Sequence, residues 1–425
     1  MKKLLLLGNN LGFREVERYV HMRGDYLVVA DNLPEGKSAA KQIADESWDI
    51  STLDIDALYD KCMAEGIDGV LATTGERNLE SAVILAEKLK LPFYVSKDTW
   101  KCMNDKRYFK ELCREFDLPV SRDYSEDTTW KEEDFPVIVK PALSSLNRGI
   151  TICTKKEELD NACKLARKYS QNGEIFIEKF IKGTQFSIFY HMVDGQIECT
   201  DILELWREEA YSVRCAVVAV SPTFLAEMYL KLYDEKVRNM LLKSGCLNGT
   251  TLLQGIVEEK TGKFYFIENN YRLDGVGAFE MHRLFLGIDS VKILVDISLD
   301  GKTNFKPIPY SRKADTQLSH YGIWATEKCH IGKIEGIDEI SKLLHNPNIM
   351  LKYHEGELFN ANDGGGDMIV GFGFTESSRD NVMNNIQMIN KMVSICNENG
   401  DDILKRYENI EKLKRISEEF KYFLK

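Results

Sequence analysis

Short apolar strands alternate with amphipathic helices through the first 95 residues, and this alternation limits the folds open to the chain. The sequence predicts strands at 4–8 (LLLLG), 26–31 (YLVVAD), 69–73 (GVLAT) and 92–95 (PFYV). Between the second and third strands, apolar residues recur at helical spacing over 55–63. Consecutive strands joined by helices run parallel, so this region is predicted to form a doubly wound parallel sheet.

The loop after the first strand, GNNLGF (8–13), argues against one common use of such a sheet. It has glycines only at positions 8 and 12 and lacks the G-x-G-x-x-G turn that lets a backbone approach a pyrophosphate. An NAD-dependent oxidoreductase with Asp31 on a ribose is therefore not favoured. The loop is predicted instead to pack a helix onto the sheet, beside a small substrate.

Composition excludes several classes of partner. A chain of 425 residues suggests about two to four domains. Its net charge of −11 argues against nucleic acid and anionic membranes as partners. The sequence has no apolar run long enough for a membrane span, and the opening MKKLLLLGNN is too short for a signal peptide. Ten scattered cysteines without a C-x-x-C pair favour reduced thiols in a cytoplasmic protein.

The pattern changes after residue 96. A strand is predicted at 136–141 (PVIVKP) and a helix over 223–244. After about residue 305 a third region of short strands follows, and it is predicted to end in two helical segments at 377–398 and 401–424. The whole chain is therefore predicted to be an α/β protein of several units.

The stretch FYFIENNYRLDG (264–275) places polar groups at the end of an apolar strand. Phe264, Phe266, Glu268, Asn270 and Arg272 follow one another at a spacing of two, so we expect all five on one face. A carboxylate beside two phenylalanines is costly to bury unless it meets a cation or a metal ion.

The preceding segment, TTLLQGIVEEKTGK (250–263), predicts a hairpin with the loop Lys260-Thr261-Gly262. In that register Glu259 pairs with Lys263, and Gln254 lies directly opposite Glu268. Gln254, Glu268 and Asn270 would then offer three oxygen ligands on one face, a set that suits Mg²⁺ held together with a nucleotide. A buried polar cluster held by hydrogen bonds is the alternative.

Three cations have no partner in the local pattern: Lys106, Lys140 and Arg272. Each alone is typical of a solvated surface charge. Together with the oxygen ligands of the hairpin, they are explained by a bound triphosphate and its metal ion.

The order of these motifs resembles the ATP-grasp superfamily, in its branch of carboxylate–amine (amino-acid and dipeptide) ligases. The motifs are Lys106, VKP with Lys140, the loop 144–149 (SSLNRG), EKFIKG (178–183) and Q-x13-E-x-N-x-R. The Gln–Glu–Asn set is similar to that of carbamoyl phosphate synthetase large subunits. The resemblance implies a Rossmann-like pre-ATP-grasp domain at 1–95, an ATP-grasp domain at 96–305 with its lid at about 126–184, and a C-terminal α+β domain at 306–425.

The resemblance also implies roles for individual residues. Glu178 would accept a hydrogen bond from the adenine amino group, and the backbone of Lys179 and Ile181 would contact the ring edge. The residues implied to bind ATP are Lys106, Lys140, Ser144, Ser145, Arg148, Gly149, Glu178, Lys179, Phe180, Ile181, Gln185, Gln254 and Glu268. Mg²⁺ or Mn²⁺ would be held by Gln254, Glu268 and Asn270. The implied catalytic residues are Arg272 and Lys140, and the implied substrate contacts are Arg272, Asp274, Gly275 and Gly277.

The reaction implied by the resemblance joins a small-molecule carboxylate to an amine. ATP would phosphorylate the carboxylate, and the amine would then displace phosphate from the acyl phosphate to form an amide or peptide bond. Two alternatives stay open: a carbamoyl-phosphate- or purine-pathway enzyme of the same superfamily, and a catalytically silent ATP-binding module. A homodimer through the first or third region is compatible with the sequence.

The sequence departs from the superfamily in its phosphate loop and at two neutral residues. The loop 144–149 carries a single glycine, Gly149, so the hydroxyls of Ser144 and Ser145 are expected to share in phosphate binding. Neutral Gln254 and Gln185 replace acids that are common elsewhere in the superfamily, and Gln185 stands where the family usually has a ribose-binding Glu.

The acceptor side of the site is the least defined by sequence. Trp206, Arg207 and Arg214 are candidates for the acceptor pocket, with a solvated loop as the alternative. Asp274 and Glu280 could attract a substrate amine. His282 is the candidate proton acceptor, and a structural histidine is the alternative there.

Overall fold

The computed structural model describes residues 1–142, 148–170, 172–207, 218–275, 277–311, 316–360 and 367–413. Within these ranges, no helix is long and apolar enough to cross a membrane. The fold is α/β, as predicted, with one parallel sheet and three further sheets.

The first region forms a four-stranded parallel sheet with the order β3-β2-β1-β4. Its apolar strands are buried because helices cover the sheet. The helix over Ile55–Glu65 begins at an Asp54 cap and ends at Gly66, whose φ is 67°. The elements are β1 (Lys3–Leu7), α1 (Phe13–Met22), β2 (Tyr26–Ala30), α2 (Ala39–Gln42), β3 (Glu46–Trp48), α3 (Ile55–Glu65), β4 (Gly69–Leu71) and α4 (Glu76–Leu89).

One predicted strand of this region is wrong. Residues 92–95 form no strand, and Glu46–Trp48 supplies the fourth strand instead. Tyr94 packs edge-on against Tyr271 with ring centroids 5.5 Å apart, and its hydroxyl donates to the Tyr271 carbonyl oxygen at 3.1 Å. Residues 92–95 are therefore fixed by packing against the end of another strand.

A small antiparallel sheet follows, with the order β5-β8-β6-β7. One helix, α7, packs on this sheet through the buried residues Leu159, Ala162, Cys163 and Ala166. The elements are α5 (Lys97–Asn104), α6 (Lys106–Glu115), β5 (Asp123–Tyr124), β6 (Val137–Pro141), β7 (Thr151–Cys153), α7 (Leu159–Tyr169) and β8 (Ile175–Lys179).

The large sheet has eight strands, which are in spatial order Phe264–Asn270 (β13), Gly249–Glu258 (β12), Gly183–Val193 (β9), Gln196–Trp206 (β10), Val218–Ser221 (β11), Gln317–Ala325 (β14), Asp367–Glu376 (β18) and Asn348–Leu351 (β16). Three of them, β14, β18 and β16, come from beyond residue 305 and join through the β11–β14 pairing. The elements up to residue 300 are β9 (Gly183–Val193), β10 (Gln196–Trp206), β11 (Val218–Ser221), α8 (Leu225–Leu232), α9 (Asp234–Lys243), β12 (Gly249–Glu258), β13 (Phe264–Asn270), α10 (Ala278–Met281) and α11 (Ser290–Asp300). The division of the chain into three domains stays a prediction.

The last region adds a three-stranded sheet with the order β17-β15-β19. A π-helical turn, His282–Leu286, follows α10 in the preceding region. The elements after residue 305 are β14 (Gln317–Ala325), β15 (Cys329–Glu335), α12 (Ile337–Leu343), β16 (Asn348–Leu351), β17 (Leu358–Phe359), β18 (Asp367–Glu376), α13 (Arg379–Met392) and β19 (Ser394–Asn397).

Three predicted helical segments differ from the structure. The helix over 223–244 is interrupted at Tyr233, which separates α8 from α9. The helix over 377–398 ends at Met392, since Ser394–Asn397 pairs with β15 as a strand. Residues 401–410 run as an extended segment, held by bonds such as Lys405 N–H to the Trp324 carbonyl at 2.7 Å. The part of the last segment after 413 lies outside the described residues.

Candidate functional site

A bulge in the β12–β13 hairpin separates the polar residues of β13 from its phenylalanines. Gln254 pairs with Glu268 as predicted, but the next pair is Gly255 with Phe266, so Ile267 is an extra residue. The turn end is shifted accordingly, and Lys263 accepts from the N–H of Glu258, not of Glu259.

The predicted single face for the five residues is therefore wrong. Phe264 and Phe266 pack on Phe186 with ring centroids 5.1 and 5.9 Å apart, on the face where a Cβ at Gly255 would also meet Phe186. Gln254 is adjacent to Gly255 and points to the opposite face, together with Glu268. The bulge thus buries the rings in the core and presents the carboxylate at the other surface.

The polar face holds the three predicted oxygen ligands. The Gln254 Nε2 donates to Ser187 Oγ at 3.3 Å, so the amide oxygen is the atom of Gln254 that could bind a metal ion. The Glu268 carboxylate is 31% exposed, and Lys106 Nζ lies 3.8 Å from its Oε2. Lys106 is placed there by the start of α6, where the Asp105 side chain accepts from the N–H groups of Arg107 and Tyr108.

Arg272 follows β13 and is fixed by the strand end. Its Nη2 donates to Asn270 Oδ1 at 3.1 Å, and its Nη1 donates to the Leu273 carbonyl at 2.8 Å. Its Nε is buried and has no hydrogen-bond partner among the described residues. Tyr271, which lies between Asn270 and Arg272 in the sequence, is buried and anchors the strand end because its hydroxyl donates to the Asn248 carbonyl. A guanidinium held this way, with a donor still unused, is suited to an anion.

A second charged cluster lies on the small sheet, around Glu178. Its carboxylate receives Lys140 Nζ at 2.7 Å and Ser121 Oγ at 2.7 Å, and Lys110 Nζ lies at 3.4 Å. Burial alone would raise the pKa of Glu178, but the charges of Lys140 and Lys110 and the hydrogen bonds from Lys140 and Ser121 lower it to about 2. Glu178 is therefore ionised, and Lys140 is held at its side.

The segment after Glu178 supplies the groups predicted to contact adenine. The Lys179 ammonium donates to the carbonyls of residues 133, 134 and 135 at 2.9–3.0 Å, so its side chain is structural. The N–H groups of Lys179 and Phe180 donate to the carbonyls of Arg122 and Pro136. In the described ranges the N–H of Ile181 has no protein acceptor. It is therefore the amide of this segment that is suited to a ligand.

The structure describes only some of the remaining ATP-binding candidates. Ser144 and Ser145 lie outside the described residues. Gly149 has a φ of 74°, and a Cβ there would come within 2.9 Å of Tyr169 and 3.0 Å of Pro141, so glycine is required. Arg148 precedes it. Gln185 lies on β9 opposite Ile256 of β12.

The glycine turn after Arg272 is organised by Asp274. Both carboxylate oxygens of Asp274 accept from backbone N–H groups, those of Ala278 and Phe279, at 2.9 Å each, so this residue caps α10. Gly277 has a φ of 87°, and a Cβ there would lie 2.9 Å from Met350. A Cβ at Gly275 would meet no atom within 4 Å. The predicted substrate contacts of this turn stay predictions.

The acceptor candidates lie on both faces of the large sheet. Glu204 pairs with Phe186, so Trp206, two residues on, lies on the core face with that ring, opposite Gln254 and Glu268. His282 packs on Phe189, on the same face as Gln254. His282 Nε2 lies 2.9 Å from Asp201 Oδ2, and Ser221 donates to the other Asp201 oxygen at 2.5 Å. Trp206 Nε1 donates to Glu204 at 3.3 Å, and Arg207 follows it. The Glu280 carboxylate accepts from Asn348 at 3.0 Å. Arg214 lies outside the described residues, so the predicted acceptor pocket is not completed here.

The side chains of the polar face offer oxygen donors to a metal ion. In the part of the chain that is described, no three His, Cys, Asp or Glu residues cluster as metal ligands. Gln254, Glu268 and Asn270 instead offer one carboxylate and two amide oxygens. An all-oxygen set with a single charge fits Mg²⁺ that keeps water and phosphate ligands, and does not fit zinc.

Two residues of the Glu178 cluster, Lys110 and Ser121, were missed by the sequence analysis. Lys110 follows Lys106 by four residues, which places both on one face of α6. That spacing was visible in the sequence. Ser121 has no comparable signal, since only the fold brings it to Glu178.

A parallel sheet followed by a small and a large antiparallel sheet, with lysines and a Glu–Asn–Arg strand end on them, is the arrangement that the resemblance to ATP-grasp domains implied. Residues 105–302 match the family model described as "Carbamoyl-phosphate synthase L chain, ATP binding domain". This segment of the chain therefore belongs to that family of ATP-grasp domains.

Individual relatives agree with this assignment. The chain is 25% identical over 337 residues to the carbamoyl phosphate synthase large chain of Clostridium acetobutylicum, covering 72% of this chain and 31% of the relative. It is 31% identical over 166 residues to the D-alanine–D-alanine ligase of Geobacter sulfurreducens, covering 38% of this chain and 50% of the relative. The chain thus spans less than a third of the length of the carbamoyl phosphate synthase chain.

Solved structures share the fold over almost the whole chain. The L-amino acid ligase from Bacillus licheniformis superposes with a TM-score of 0.76 at 17% identity, covering 94% of this chain and 99% of that one. The biotin carboxylase domain dimer of Hydrogenobacter thermophilus 2-oxoglutarate carboxylase, solved with MgADP and bicarbonate, gives 0.73 at 17% identity, covering 98% and 93%. At this identity the likeness establishes the fold.

Proposed function

We propose that the protein is an ATP-dependent carboxylate–amine ligase that works through an acyl phosphate. The observation that carries the proposal is the pairing of Gln254 with Glu268 on the polar face of the hairpin, beside Lys106 and Arg272. An oxygen donor set next to an ammonium and a guanidinium is what a metal-bound triphosphate requires.

Binding of ATP would use both charged clusters. Lys140 and Lys106 are the candidates for the phosphates, and the N–H of Ile181 with the Glu178 carboxylate is the candidate for the adenine edge. Gln254, Glu268 and Asn270 would hold Mg²⁺, which neutralises charge that develops on the phosphates when it is bound. Because Glu268 is the single carboxylate of this set, metal affinity depends strongly on the nucleotide.

Arg272 is the candidate for the reacting groups. Among the described residues each Nη atom makes one hydrogen bond, to Leu273 or Asn270, so the Nε–H and the second N–H of each Nη are the donors left for a carboxylate or the phosphoryl group in transfer. A fixed donor of this kind stabilises the transition state because it does not reorganise during the reaction. In this mechanism the substrate carboxylate attacks the phosphorus directly, so no protein nucleophile is required.

The substrates are proposed to be a small carboxylic acid and a small amine in the cytoplasm. The L-amino acid ligase fold and the D-alanine–D-alanine ligase relative support amide formation. The carbamoyl phosphate synthase relatives support a second candidate, phosphorylation of bicarbonate or a related acid, because residues 105–302 match the ATP-binding domain of that family. A homodimer is part of the proposal, since the neighbouring biotin carboxylase domain was solved as a dimer.

Mg²⁺-dependent release of phosphate and ADP from ATP tests the proposal. Amino acids would be screened singly and in pairs, and bicarbonate with an amine would be a separate arm. We expect one carboxylate–amine pair to stimulate release and Glu268→Ala to abolish it. The control is Glu259→Ala, a carboxylate of the same hairpin that pairs with Lys182 at the surface. ATP binding without stimulated release over a broad panel would favour a silent module, and no binding would refute the proposal.

A further inference from the structure

Helix α6 directs two ammonium groups at two carboxylates on different sheets. Lys106 Nζ lies 3.8 Å from Glu268 on the large sheet, and Lys110 Nζ lies 3.4 Å from Glu178 on the small sheet. The two lysines are one turn apart on one helix face. Lys106 is part of the proposed ATP site, whereas Lys110 has no part in the proposed function.

Lys110 is built into the protein more firmly than a surface lysine. Its side chain is 5% exposed and contacts Ser121 Oγ at 3.3 Å, Glu178 at 3.4 Å and the carboxylate of Asp123. Asp123 pairs with Arg114 as well as with Lys110, so it keeps one cation partner when Lys110 is replaced. A buried ammonium is kept only where anions surround it.

Glu178 is shared between Lys110 and Lys140. In the described residues, the Lys140 ammonium bonds to Glu178 at 2.7 Å and lies 5.8 Å from the centre of the Phe176 ring. An ammonium has three N–H groups, so two of those of Lys140 remain for phosphate oxygens. A carboxylate neutralised by one lysine alone would hold that lysine more tightly and compete with the phosphates.

We propose that Lys110 is a positioning residue for nucleotide binding: it neutralises Glu178 and so leaves the Lys140 ammonium available to the phosphates. The inference rests on the proposed function, because it takes Lys140 as a phosphate ligand. It adds a residue that does not touch the nucleotide and acts through Glu178.

A thermodynamic cycle on MgATP affinity tests this role. Lys110→Met removes the charge at similar length, Lys110→Arg restores it, and Glu178→Gln removes the competition for Lys140. Titration calorimetry would give the dissociation constant of MgATP for each single variant and for Lys110→Met combined with Glu178→Gln. Lys243→Met is the matched control, since that exposed lysine pairs with Glu115 at the surface.

We expect Lys110→Met to weaken MgATP binding about tenfold, as loss of one charge-assisted interaction would. Lys110→Arg should recover most of the affinity. In the Glu178→Gln background the same Lys110→Met change should alter affinity by less than about twofold, which a general loss of folding would not produce.

The outcomes separate the two proposals. If the wild-type protein binds no MgATP, the proposed function fails. If the wild type binds and Lys110→Met binds equally well, or if its loss is the same in the Glu178→Gln background, the role of Lys110 is refuted. If Lys110→Met does not fold, Lys110→Arg is compared with the wild-type lysine in two backgrounds, Glu178 and Glu178→Gln. The proposal then requires that Lys110→Arg retain its affinity for MgATP in both backgrounds.

Discussion

Gln254 lies directly across the hairpin from Glu268, and its amide nitrogen is held by Ser187 at 3.3 Å. The neutral amide avoids the repulsion that a second carboxylate would cause at this cross-strand position. The pair therefore combines a strand contact with two candidate oxygen ligands, and it is the centre of the proposed ATP site.

A second carboxylate at this position should increase metal dependence. In Gln254→Glu we expect the melting temperature without Mg²⁺ to fall, because two carboxylates face each other. The Mg²⁺ concentration for half-maximal activity should fall about tenfold, since a charged ligand is added. Thermal unfolding and activity over a range of Mg²⁺ concentrations measure both effects. An unchanged Mg²⁺ requirement would place the metal elsewhere.

Arg272 should affect the chemical step more than nucleotide binding. In Arg272→Met we expect kcat to fall about 100-fold or more, with the dissociation constant of MgATP changed by less than about threefold. Arg272→Lys should not restore activity, because a single ammonium nitrogen cannot reproduce the planar fork that bonds Asn270 and Leu273 while it also presents donors to the substrate. Arg107→Met, at an exposed pair with Glu174, is the control. If Arg272→Met weakened MgATP binding as much as it lowered kcat, Arg272 would act in binding the nucleotide and not in the chemical step.

Glu178 should stabilise the folded protein at neutral pH and lose this effect in acid. Its pKa in the folded protein is about 2, below the ordinary value of about 4.3 for an unfolded Glu. The ionised group therefore contributes stability above about pH 4.3, and the contribution disappears as the pH falls towards about 2.

Denaturant unfolding of wild type and Glu178→Gln from pH 7 to pH 3 measures this contribution. We expect the difference in free energy of unfolding, on the order of 2 kcal/mol at pH 7, to shrink as the pH is lowered. Glu174→Gln, at an exposed pair with Arg107, should show little difference at any pH. A difference for Glu178→Gln that stays constant with pH would contradict the depressed pKa.

The two glycines of the turn after Arg272, Gly275 and Gly277, should respond differently to replacement by alanine. Gly277→Ala should cost about 1–3 kcal/mol of stability, because its φ is 87° and a Cβ would lie 2.9 Å from Met350. Gly275→Ala should be tolerated, since a Cβ there meets no atom within 4 Å. Denaturant unfolding of the two variants compares them directly. Equal destabilisation would mean that the turn is set by something other than steric fit.

Much of the fold could be predicted because strand and helix periods are local signals. Strands β1, β2 and β4, the helix ending at Gly66 and the register of Gln254 with Glu268 all follow from spacing and turn residues. The bulge at Ile267 could not be predicted, since a bulge depends on how two strands fit across the sheet. It reversed the expected face of Phe264 and Phe266.

The charged clusters were predicted only in part, for a similar reason. Lys140 and Glu178 were recognised by motif, but their 2.7 Å contact joins two strands that lie side by side only in the folded sheet. Lys110 and Ser121 enter through the same tertiary contacts. The capping role of Asp274 was missed because α10 is too short to leave a periodic pattern.

Transfer of ¹⁸O tests the central claim most directly. The carboxylate that stimulates phosphate release would be labelled with ¹⁸O and incubated with MgATP, the amine and the wild-type protein. An acyl phosphate intermediate transfers one carboxylate oxygen to phosphate, so we predict one ¹⁸O in the inorganic phosphate released, seen by mass spectrometry. Phosphate that carries no ¹⁸O, while amide still forms, would contradict the mechanism.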